Sequence, residues 1–246
     1  MALVTGSTSG IGEAIARALA AAGATVLVSG RSKQRGRAVV HRIADDGGSA
    51  LFLTVDLSAG PADLRRFATE ATALLGHRID VLVNNAGIYP AATTADLADE
   101  DLDAMLAVNI RAPHVLASVI LPGMADRGSG IVVNVGSWMA SVGNPFAAAY
   151  TSTKAAVEQL TRSWASEFGA RGVRVNTVSP GVTITPGNEA ARNVLDAMTA
   201  GTPPGVVVRP SDIAAGVLFR VSDAARMMHG SILAIDGGIS TTRSTS

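Results

Sequence analysis

Short apolar runs rich in β-branched residues recur along the chain, separated by longer and more polar segments. Near-continuous apolar runs of this kind are typical of strands that are buried on both faces of a sheet. The runs with this character are residues 2–4, 25–29, 50–55, 79–83, 131–135, 173–178 and 232–235. They predict a sheet of seven strands.

The intervening segments carry the apolar spacing of helices. These segments are residues 12–22, 32–46, 61–75, 100–124 and 150–168. Pro113 lies inside the fourth of them and predicts a bend. Strands that alternate with helices pair in parallel through right-handed crossovers. With no internal repeat and no linker in between, the pattern favours one α/β domain over residues 1–246.

One stretch departs from this alternation. Residues 181–208 are rich in Gly, Pro and Thr, with a weak helical centre at 190–198. An insertion of this size in a compact domain is often a lid or a binding loop, so residues 183–207 are predicted to contact a substrate. The polar tail, residues 240–246, is expected to be mobile.

Charge and composition narrow the class of protein. Lys and Arg together number 20, as do Asp and Glu, and the sequence pI is about 6.9. A neutral chain has no overall field for nucleic acid or an anionic membrane, so neither is an expected partner. Cysteine is absent and the four histidines are scattered, which predicts no metal site. No signal peptide and no membrane-spanning run is expected, which favours a cytoplasmic protein.

A glycine-rich turn follows the first predicted strand and opens the first helix. It reads Thr5-Gly6-Ser7-Thr8-Ser9-Gly10-Ile11-Gly12. Glycines there let the backbone approach a pyrophosphate, and the helix N-terminus supplies free N–H groups and a positive dipole. The strand–turn–helix context predicts a dinucleotide site.

The end of the second strand bears on which dinucleotide binds. An acidic side chain there would accept hydrogen bonds from the ribose 2′-hydroxyl of NAD and repel a 2′-phosphate. This chain has Gly30 at that place, followed by Arg31 and Ser32. Because arginine pairs with phosphate through two parallel hydrogen bonds, NADP(H) is the preferred cofactor. NAD(H) stays open as the alternative.

Tyr150 and Lys154 stand four residues apart at the start of a predicted helix, and so on one face. The chain holds only two tyrosines and two lysines. Hydride transfer to or from a carbonyl carbon needs a proton donor or acceptor at the oxygen. A tyrosine has a pKa near 10. A lysine ammonium one turn away, together with a positive nicotinamide, is expected to lower the pKa of Tyr150 toward neutrality.

Three features together resemble the short-chain dehydrogenase/reductase family. They are the glycine spacing at Gly6, Gly10 and Gly12, the run Asn84-Asn85-Ala86-Gly87 and the Tyr150–Lys154 pair. The resemblance covers essentially the whole chain. It implies an α/β, single-domain Rossmann-type three-layer sandwich with a seven-stranded parallel sheet.

The resemblance also implies a catalytic tetrad of Asn109, Ser137, Tyr150 and Lys154. Tyr150 would be the general acid/base, and Lys154 would also donate to the nicotinamide ribose. Ser137 would bind the substrate oxygen, and Asn109 would position a water. The implied cofactor contacts are Gly6, Ser7, Ser9, Gly10, Ile11, Gly12, Arg31, Ser32, Asp56, Leu57, Asn85, Ala86, Gly87, Tyr150, Lys154, Pro180, Gly181 and Thr183.

These patterns predict an NADP(H)-dependent oxidoreductase that interconverts a ketone and a secondary alcohol. Apolar residues at the expected substrate positions favour a neutral or hydrophobic carbonyl compound, with a 3-oxoacyl thioester as one candidate. The Tyr150–Lys154 spacing argues against the family's enoyl reductases. The alternatives are an NAD(H)-dependent alcohol or polyol dehydrogenase and a non-catalytic nucleotide-binding sensor. The resemblance implies a homotetramer, or a homodimer, built on helices 100–124 and 150–168.

Overall fold

The computed structural model describes residues 1–242, so the last four residues of the predicted mobile tail lie outside the described residues. A parallel sheet of seven strands forms the centre, in the order β3-β2-β1-β4-β5-β6-β7. The strands are β1 (Ala2–Val4), β2 (Thr25–Gly30), β3 (Ser49–Thr54), β4 (Val81–Asn84), β5 (Gly130–Val135), β6 (Val173–Pro180) and β7 (Ile232–Ile235). This confirms the predicted fold class.

Helices cover both faces of the sheet. They are α1 (Gly10–Ala21), α2 (Lys33–Asp45), α3 (Pro61–Leu74), α4 (Asp99–Met105), α5 (Ala112–Asp126), α6 (Ala148–Phe168), α7 (Arg192–Thr199) and α8 (Pro210–Val221). Side chains alternate across each strand, so Leu3 packs in one apolar cluster with α3, α5 and α6. Val4 packs in the other, with α1, α2 and α8. The molecule is therefore a three-layer sandwich with two cores.

The predicted bend in the fourth helical segment takes a specific form. Residues Leu106–Arg111 form a π-helical segment between α4 and α5, and the Ala112 N–H donates to the Ala107 carbonyl five residues back. Pro113 lies in the first turn of α5, where a missing N–H costs little. The irregularity precedes the proline, and Asn109 lies within it. Single π-helical turns are frequent at functional sites.

The same stretch, Asp99–Asp126, is long and apolar enough to cross a membrane by length and composition alone. The sequence analysis predicted a helix here without singling out its apolar character. In the fold, Leu116, Leu121 and Met124 are buried in the cluster on the α3, α5 and α6 face. Packing against the sheet therefore accounts for the apolar character of the helix.

The region after β6 contains one helix that was predicted and one that was not. The weak helical centre is α7, whereas no helix was predicted between residues 208 and 232, where α8 forms. Helix α8 begins with Pro210 in its first turn, and the Asp212 carboxylate accepts a 2.8 Å hydrogen bond from the Arg209 N–H. A parallel bridge between Thr183 and Val208 closes the base of the loop that holds α7.

A row of buried polar side chains crosses the centre of the sheet. The Asn84 amide nitrogen (Nδ2) donates to Asn134 Oδ1 at 2.8 Å, and Asn134 Nδ2 donates to Thr161 Oγ1 at 2.8 Å. The Thr161 and Thr177 hydroxyls are 2.7 Å apart. The row joins β4, β5, α6 and β6 beneath the carboxyl ends of the strands.

Candidate active site

The glycine-rich turn lies between β1 and α1, where the strand order reverses beside β4. Open α/β sheets bind ligands at such a crevice. Gly6 and Gly10 have φ angles of +62° and +56°. A Cβ at Gly6 would stand 2.9 Å from Ala86 Cα, so only glycine fits. Ser9, the N-cap of α1, makes no side-chain bond to the first turn. The N–H groups of that turn are therefore available to an anion.

Thr5 and Asn85 hold this turn against the end of β4. Thr5 Oγ1 accepts hydrogen bonds from the backbone N–H groups of Asn85 (3.0 Å) and Ala86 (3.1 Å). In return, Asn85 Nδ2 donates to the Thr5 carbonyl at 2.8 Å. These hydrogen bonds join the glycine turn to the end of β4, and the two segments together form the floor of the crevice.

A cavity of about 420 Å³ opens above this floor and runs from the α2 end of the crevice to the π-helical segment. Most of the predicted cofactor residues line it, namely Gly6, Ser9, Gly10, Ile11, Gly12, Arg31, Asp56, Leu57, Asn85, Ala86 and Gly87. Its wall also includes residues that the sequence analysis did not single out, among them Thr8, Arg35, Ser58, Ile88, Thr185 and Gly187.

Some predicted cofactor residues lie outside this wall. They are Ser7, Ser32, Tyr150, Lys154, Pro180, Gly181 and Thr183. Ser7 points into the fold, where its hydroxyl donates to the Val4 carbonyl at 2.7 Å and accepts from the Ser29 N–H at 2.9 Å. Ser32 is the N-cap of α2, and its hydroxyl accepts from the Arg35 N–H. Both serines therefore shape the turns around the cavity.

The loop after β6 reaches the cavity two residues later than predicted. The Thr183 hydroxyl is buried and donates to the Gly181 carbonyl at 3.0 Å. Thr185 instead lies against the glycine turn, 3.2 Å from where a Cβ of Gly10 would be. Asn188 fixes this turn, since its Oδ1 accepts from the Thr185 N–H at 2.7 Å. In the sequence, the alternation Thr183-Ile184-Thr185 is the signal that could have indicated the contact of Thr185 with the glycine turn.

The α2 end of the cavity is basic and leaves no room for an acidic residue at position 30. A Cβ on Gly30 would come within 2.8 Å of Thr8 Cγ2. Arg31 and Arg35 both line the wall there. Hydrogen bonds from Ser58 lower the pKa of Asp56, and the nearby positive charge of Arg31 adds to this effect. The residues that line this end of the cavity fit a dinucleotide whose adenosine part carries a negatively charged group.

Lys154 lies on α6, with 5% of its surface exposed. Its ammonium (Nζ) donates to the Val135 carbonyl at 2.9 Å, and a Cβ on Gly87 would stand 3.3 Å from it. Gly87 lines the cavity, so the lysine lies directly behind the cavity wall. Burial lowers the pKa of Lys154 from 10.5 to about 8. The side chain is therefore still mostly protonated at neutral pH.

Asn109 lies in the π-helical segment and is also buried. Its Oδ1 accepts from the Ile88 N–H at 2.9 Å, while its Nδ2 donates to the Ile88 carbonyl at 3.0 Å and to Thr153 Oγ1 at 3.0 Å. These bonds clamp the backbone at Ile88 and join it to the turn of α6 that contains Tyr150. The role expected of Asn109 in positioning a water stays a prediction.

Tyr150 is half-buried and lies above Lys154, whose ammonium is 5.8 Å from the centre of the phenol ring. Burial raises the pKa of Tyr150, whereas the hydroxyl of Ser137 nearby lowers it. In the chain alone the net direction is opposite to the expected one, because desolvation outweighs the hydrogen bond with Ser137. Ser137 also caps a short helix, Trp138–Ser141, by accepting from the Met139 N–H.

A second cavity, of about 330 Å³, adjoins Tyr150 on the side of α4. Its wall is mainly apolar, with Leu97, Leu102 and Met105 among its members, and it includes Asp99. Tyr150 itself is part of this wall. This arrangement places a titratable hydroxyl, a buried ammonium and a serine hydroxyl close to the end of a dinucleotide-sized cleft.

Comparisons with known proteins agree with this geometry. A family model described as Enoyl-(Acyl carrier protein) reductase matches residues 6–240. D-threitol dehydrogenase of Mycolicibacterium smegmatis is 37% identical over 240 residues, which cover 97% of this chain and 92% of that protein. The 3-oxoacyl-[acyl-carrier-protein] reductase of Thermotoga maritima is 36% identical over 163 residues, about two thirds of each chain.

Among solved structures, a 3-oxoacyl (acyl-carrier-protein) reductase from Agrobacterium tumefaciens C58 superposes with a TM-score of 0.91. It is 35% identical, and the match covers 96% of this chain and 92% of that one. That structure was determined with NADP bound. The similarity extends over nearly the whole sandwich.

Proposed function

Because the chain belongs to the short-chain dehydrogenase/reductase family of oxidoreductases, we propose that it interconverts a ketone and a secondary alcohol with NADP(H). One observation carries the proposal. Tyr150 stands one helical turn from a buried, mostly protonated Lys154, and this lysine lies directly behind the wall of the dinucleotide-sized cavity. This neighbourhood of a proton donor and a cation supports the proposal, because hydride transfer to a carbonyl needs both.

The residues around the cavity would hold the cofactor in a defined direction. The first turn of α1 and the glycines before it would bind the pyrophosphate. Arg31 and Arg35 would pair with the 2′-phosphate, and Asp56 would face the adenine. Lys154 would hydrogen-bond the nicotinamide ribose. When bound, the nicotinamide supplies or accepts the hydride.

The chain's own residues would handle the proton and the charge on the substrate oxygen. In the reducing direction, Tyr150 donates its proton to the oxygen as the carbonyl becomes an alcohol. Ser137 donates a hydrogen bond to the same oxygen and stabilises the developing negative charge. Lys154 stabilises the phenolate that Tyr150 leaves behind. In the oxidising direction the same groups act in reverse.

The favoured substrate is a neutral or hydrophobic carbonyl compound, with a 3-oxoacyl thioester as one candidate. The apolar wall beside Tyr150 supports this class, as does the reductase relative from Thermotoga maritima. Polyol oxidation is the second candidate, because a D-threitol dehydrogenase is similar over 97% of this chain. The spacing of Tyr150 and Lys154 favours carbonyl over enoyl reduction.

We further propose that the chain works in the cytoplasm as a homotetramer, or as a homodimer. Apolar side chains left exposed next to the predicted interface helices, Leu102 and Leu106, support association. Light scattering on the eluted protein tests this directly, because a mass of 24.9 kDa would mean a monomer.

The experiment that tests the function measures NADPH and NADH binding by cofactor fluorescence, with the wild type beside Arg31→Asp. We expect tighter binding of NADPH and a reversed preference in the variant. A carbonyl screen that follows NADPH consumption comes next, with Tyr150→Phe as the inactive control. Binding of neither cofactor would favour a non-catalytic protein. Equal binding of both would remove the 2′-phosphate argument.

A further inference from the structure

The only two tyrosines of the chain, Tyr89 and Tyr150, pack against each other. Their ring centroids are 4.5 Å apart and the ring planes meet at 41°. This distance is at the short end of the range for interacting aromatic pairs. The rings come from different elements, since Tyr89 lies in the loop after β4 and Tyr150 in the first turn of α6.

Both segments that carry the rings are anchored close to the contact. Ile88, the residue before Tyr89, has its N–H and its carbonyl bound by Asn109. Three residues beyond Tyr89, the Ala92 N–H donates to the Phe146 carbonyl at 3.0 Å. The loop of Tyr89 is thus bound to the π-helical segment on one side and to the segment before α6 on the other. These hydrogen bonds hold Tyr89 in position against Tyr150.

Tyr89 is 46% exposed, a large fraction for an aromatic residue in ring contact beside a cavity. A ring in that position covers one side of the Tyr150 phenol and leaves its own outer side to solvent or substrate. The Tyr89 ring therefore shields one side of Tyr150 from water.

We propose that Tyr89 is a positioning residue for Tyr150: its ring holds the phenol toward Ser137 and screens it from water. This inference rests on the proposed function, in which Tyr150 exchanges a proton with the substrate. It predicts that the two phenols titrate as a coupled pair, since each phenolate opposes ionisation of the other. The other groups around Tyr150 are Lys154 and, in the wall of the second cavity, Asp99.

The electrostatics of the two phenols agree with this arrangement. Burial raises the pKa of Tyr89, and burial is also the main cause that raises the pKa of Tyr150. The proximity of Tyr89 raises the pKa of Tyr150 further. Removing the ring should therefore expose Tyr150 and bring its pKa down toward 10, whereas removing only the hydroxyl should keep the phenol covered.

The composition of the chain permits a direct test, because phenolate absorbance at 295 nm reports these two residues alone. We would titrate the wild type, Tyr89→Phe, Tyr89→Leu and Tyr150→Phe without cofactor. Tyr150 is the one remaining tyrosine in Tyr89→Phe and in Tyr89→Leu. Tyr89 is the one remaining tyrosine in Tyr150→Phe. We expect Tyr150 to titrate lower in Tyr89→Leu than in Tyr89→Phe by about half a pH unit or more.

The wild type provides a second, independent comparison. We expect its two-proton curve to be broader than the sum of the curves of Tyr89→Phe and Tyr150→Phe, because the second phenol ionises beside a phenolate. An additive wild-type curve, together with equal titration of Tyr150 in the Phe and Leu variants, would overturn the proposal. If Tyr89→Leu failed to fold, the comparison of the wild-type curve with the sum of the Tyr89→Phe and Tyr150→Phe curves would decide.

Kinetics connect the pair to the reaction. With any ketone that the wild type reduces, we expect Tyr89→Leu to lower kcat about tenfold relative to Tyr89→Phe, with the KM for NADPH unchanged. Equal kcat values for the two variants would show that the ring does not position Tyr150 for reaction. A chain that reduces no substrate would contradict the proposed function alone, since the titration needs no turnover.

Discussion

The Lys154 ammonium donates a 2.9 Å hydrogen bond to the carbonyl of Val135, two residues before Ser137. The lysine on α6 is thereby tied to the strand end that carries the serine. A single carbonyl compensates a buried cation only in part, which is why burial lowers the pKa of Lys154 to about 8. The site therefore holds a charge that weakens the fold.

Replacing this lysine should stabilise the protein at neutral pH. A fall in pKa from 10.5 to about 8 corresponds to roughly 3 kcal/mol, and loss of the Val135 bond offsets about 1 kcal/mol of it. We expect Lys154→Met to unfold with a free energy about 2 kcal/mol higher than wild type at pH 7, measured in urea. Cofactor-dependent activity should be lost.

The gain should depend on pH in a defined direction. Between about pH 8 and 10.5 the unfolded lysine holds a proton that the folded one has lost, so wild-type stability rises with pH relative to the variant. The advantage of Lys154→Met should therefore be full below pH 8 and shrink above it. Lys33→Met is the matched control, because the only other lysine is exposed and should show neither effect.

Arg35 should contribute to cofactor choice beside Arg31. It lines the cavity from the first turn of α2, whereas Arg37 on the same helix does not. We expect Arg35→Ala to raise the Kd for NADPH about tenfold, by loss of a charge-assisted hydrogen bond, with little change for NADH. Arg37→Ala should leave both constants unchanged. A similar loss in the two variants would indicate a general effect of positive charge.

Asn109 should matter for stability as well as for the site. Asn109→Ala removes the three hydrogen bonds that the Asn109 side chain makes, to the N–H of Ile88, to the carbonyl of Ile88 and to the Thr153 hydroxyl. We expect a loss of about 3 kcal/mol in the free energy of unfolding. Thr153→Val removes one of these bonds and should cost about 1 kcal/mol. The reverse order of the two variants would contradict the clamp on Ile88.

Two glycines with left-handed backbones provide a stability comparison away from the site. Gly172 has φ +78°, and a Cβ there would fall well inside contact distance of the Gly128 carbonyl. Gly205 has φ +64° with nothing near its Cβ position. We expect Gly205→Ala to cost about 1 kcal/mol from backbone strain alone. Gly172→Ala should cost at least about 2 kcal/mol more, as a shift in Tm will show.

The sequence could predict the sheet because each strand is an apolar run, largely buried in β1, β2, β4, β5 and β6. It could predict the glycine turn because the turn has a fixed spacing. The prediction omitted helix α8, although Pro210 and Asp212 carry the signal of a helix start. The contact of Thr185 with the turn depends on how a long loop folds back. No periodicity along the chain encodes such a path.

The stacking of Tyr89 on Tyr150 could not be predicted for a related reason. Sixty-one positions apart, the two rings meet only because the loop after β4 and the segment before α6 share a backbone hydrogen bond. The direction of the Tyr150 pKa was also beyond the sequence, since burial opposes the hydrogen bond with Ser137 and only the fold sets which effect is larger.

The buried row from Asn84 through Asn134 and Thr161 to Thr177 has a consequence for how the chain reaches its native state. A slip of one residue would turn the Asn84, Asn134 and Thr177 side chains to the opposite face of the sheet and break their hydrogen bonds with one another or with Thr161 on α6. Apolar valines on either side have no such bonds to lose. The row therefore favours the native register of β4, β5 and β6, on which the alignment of the cleft above it depends.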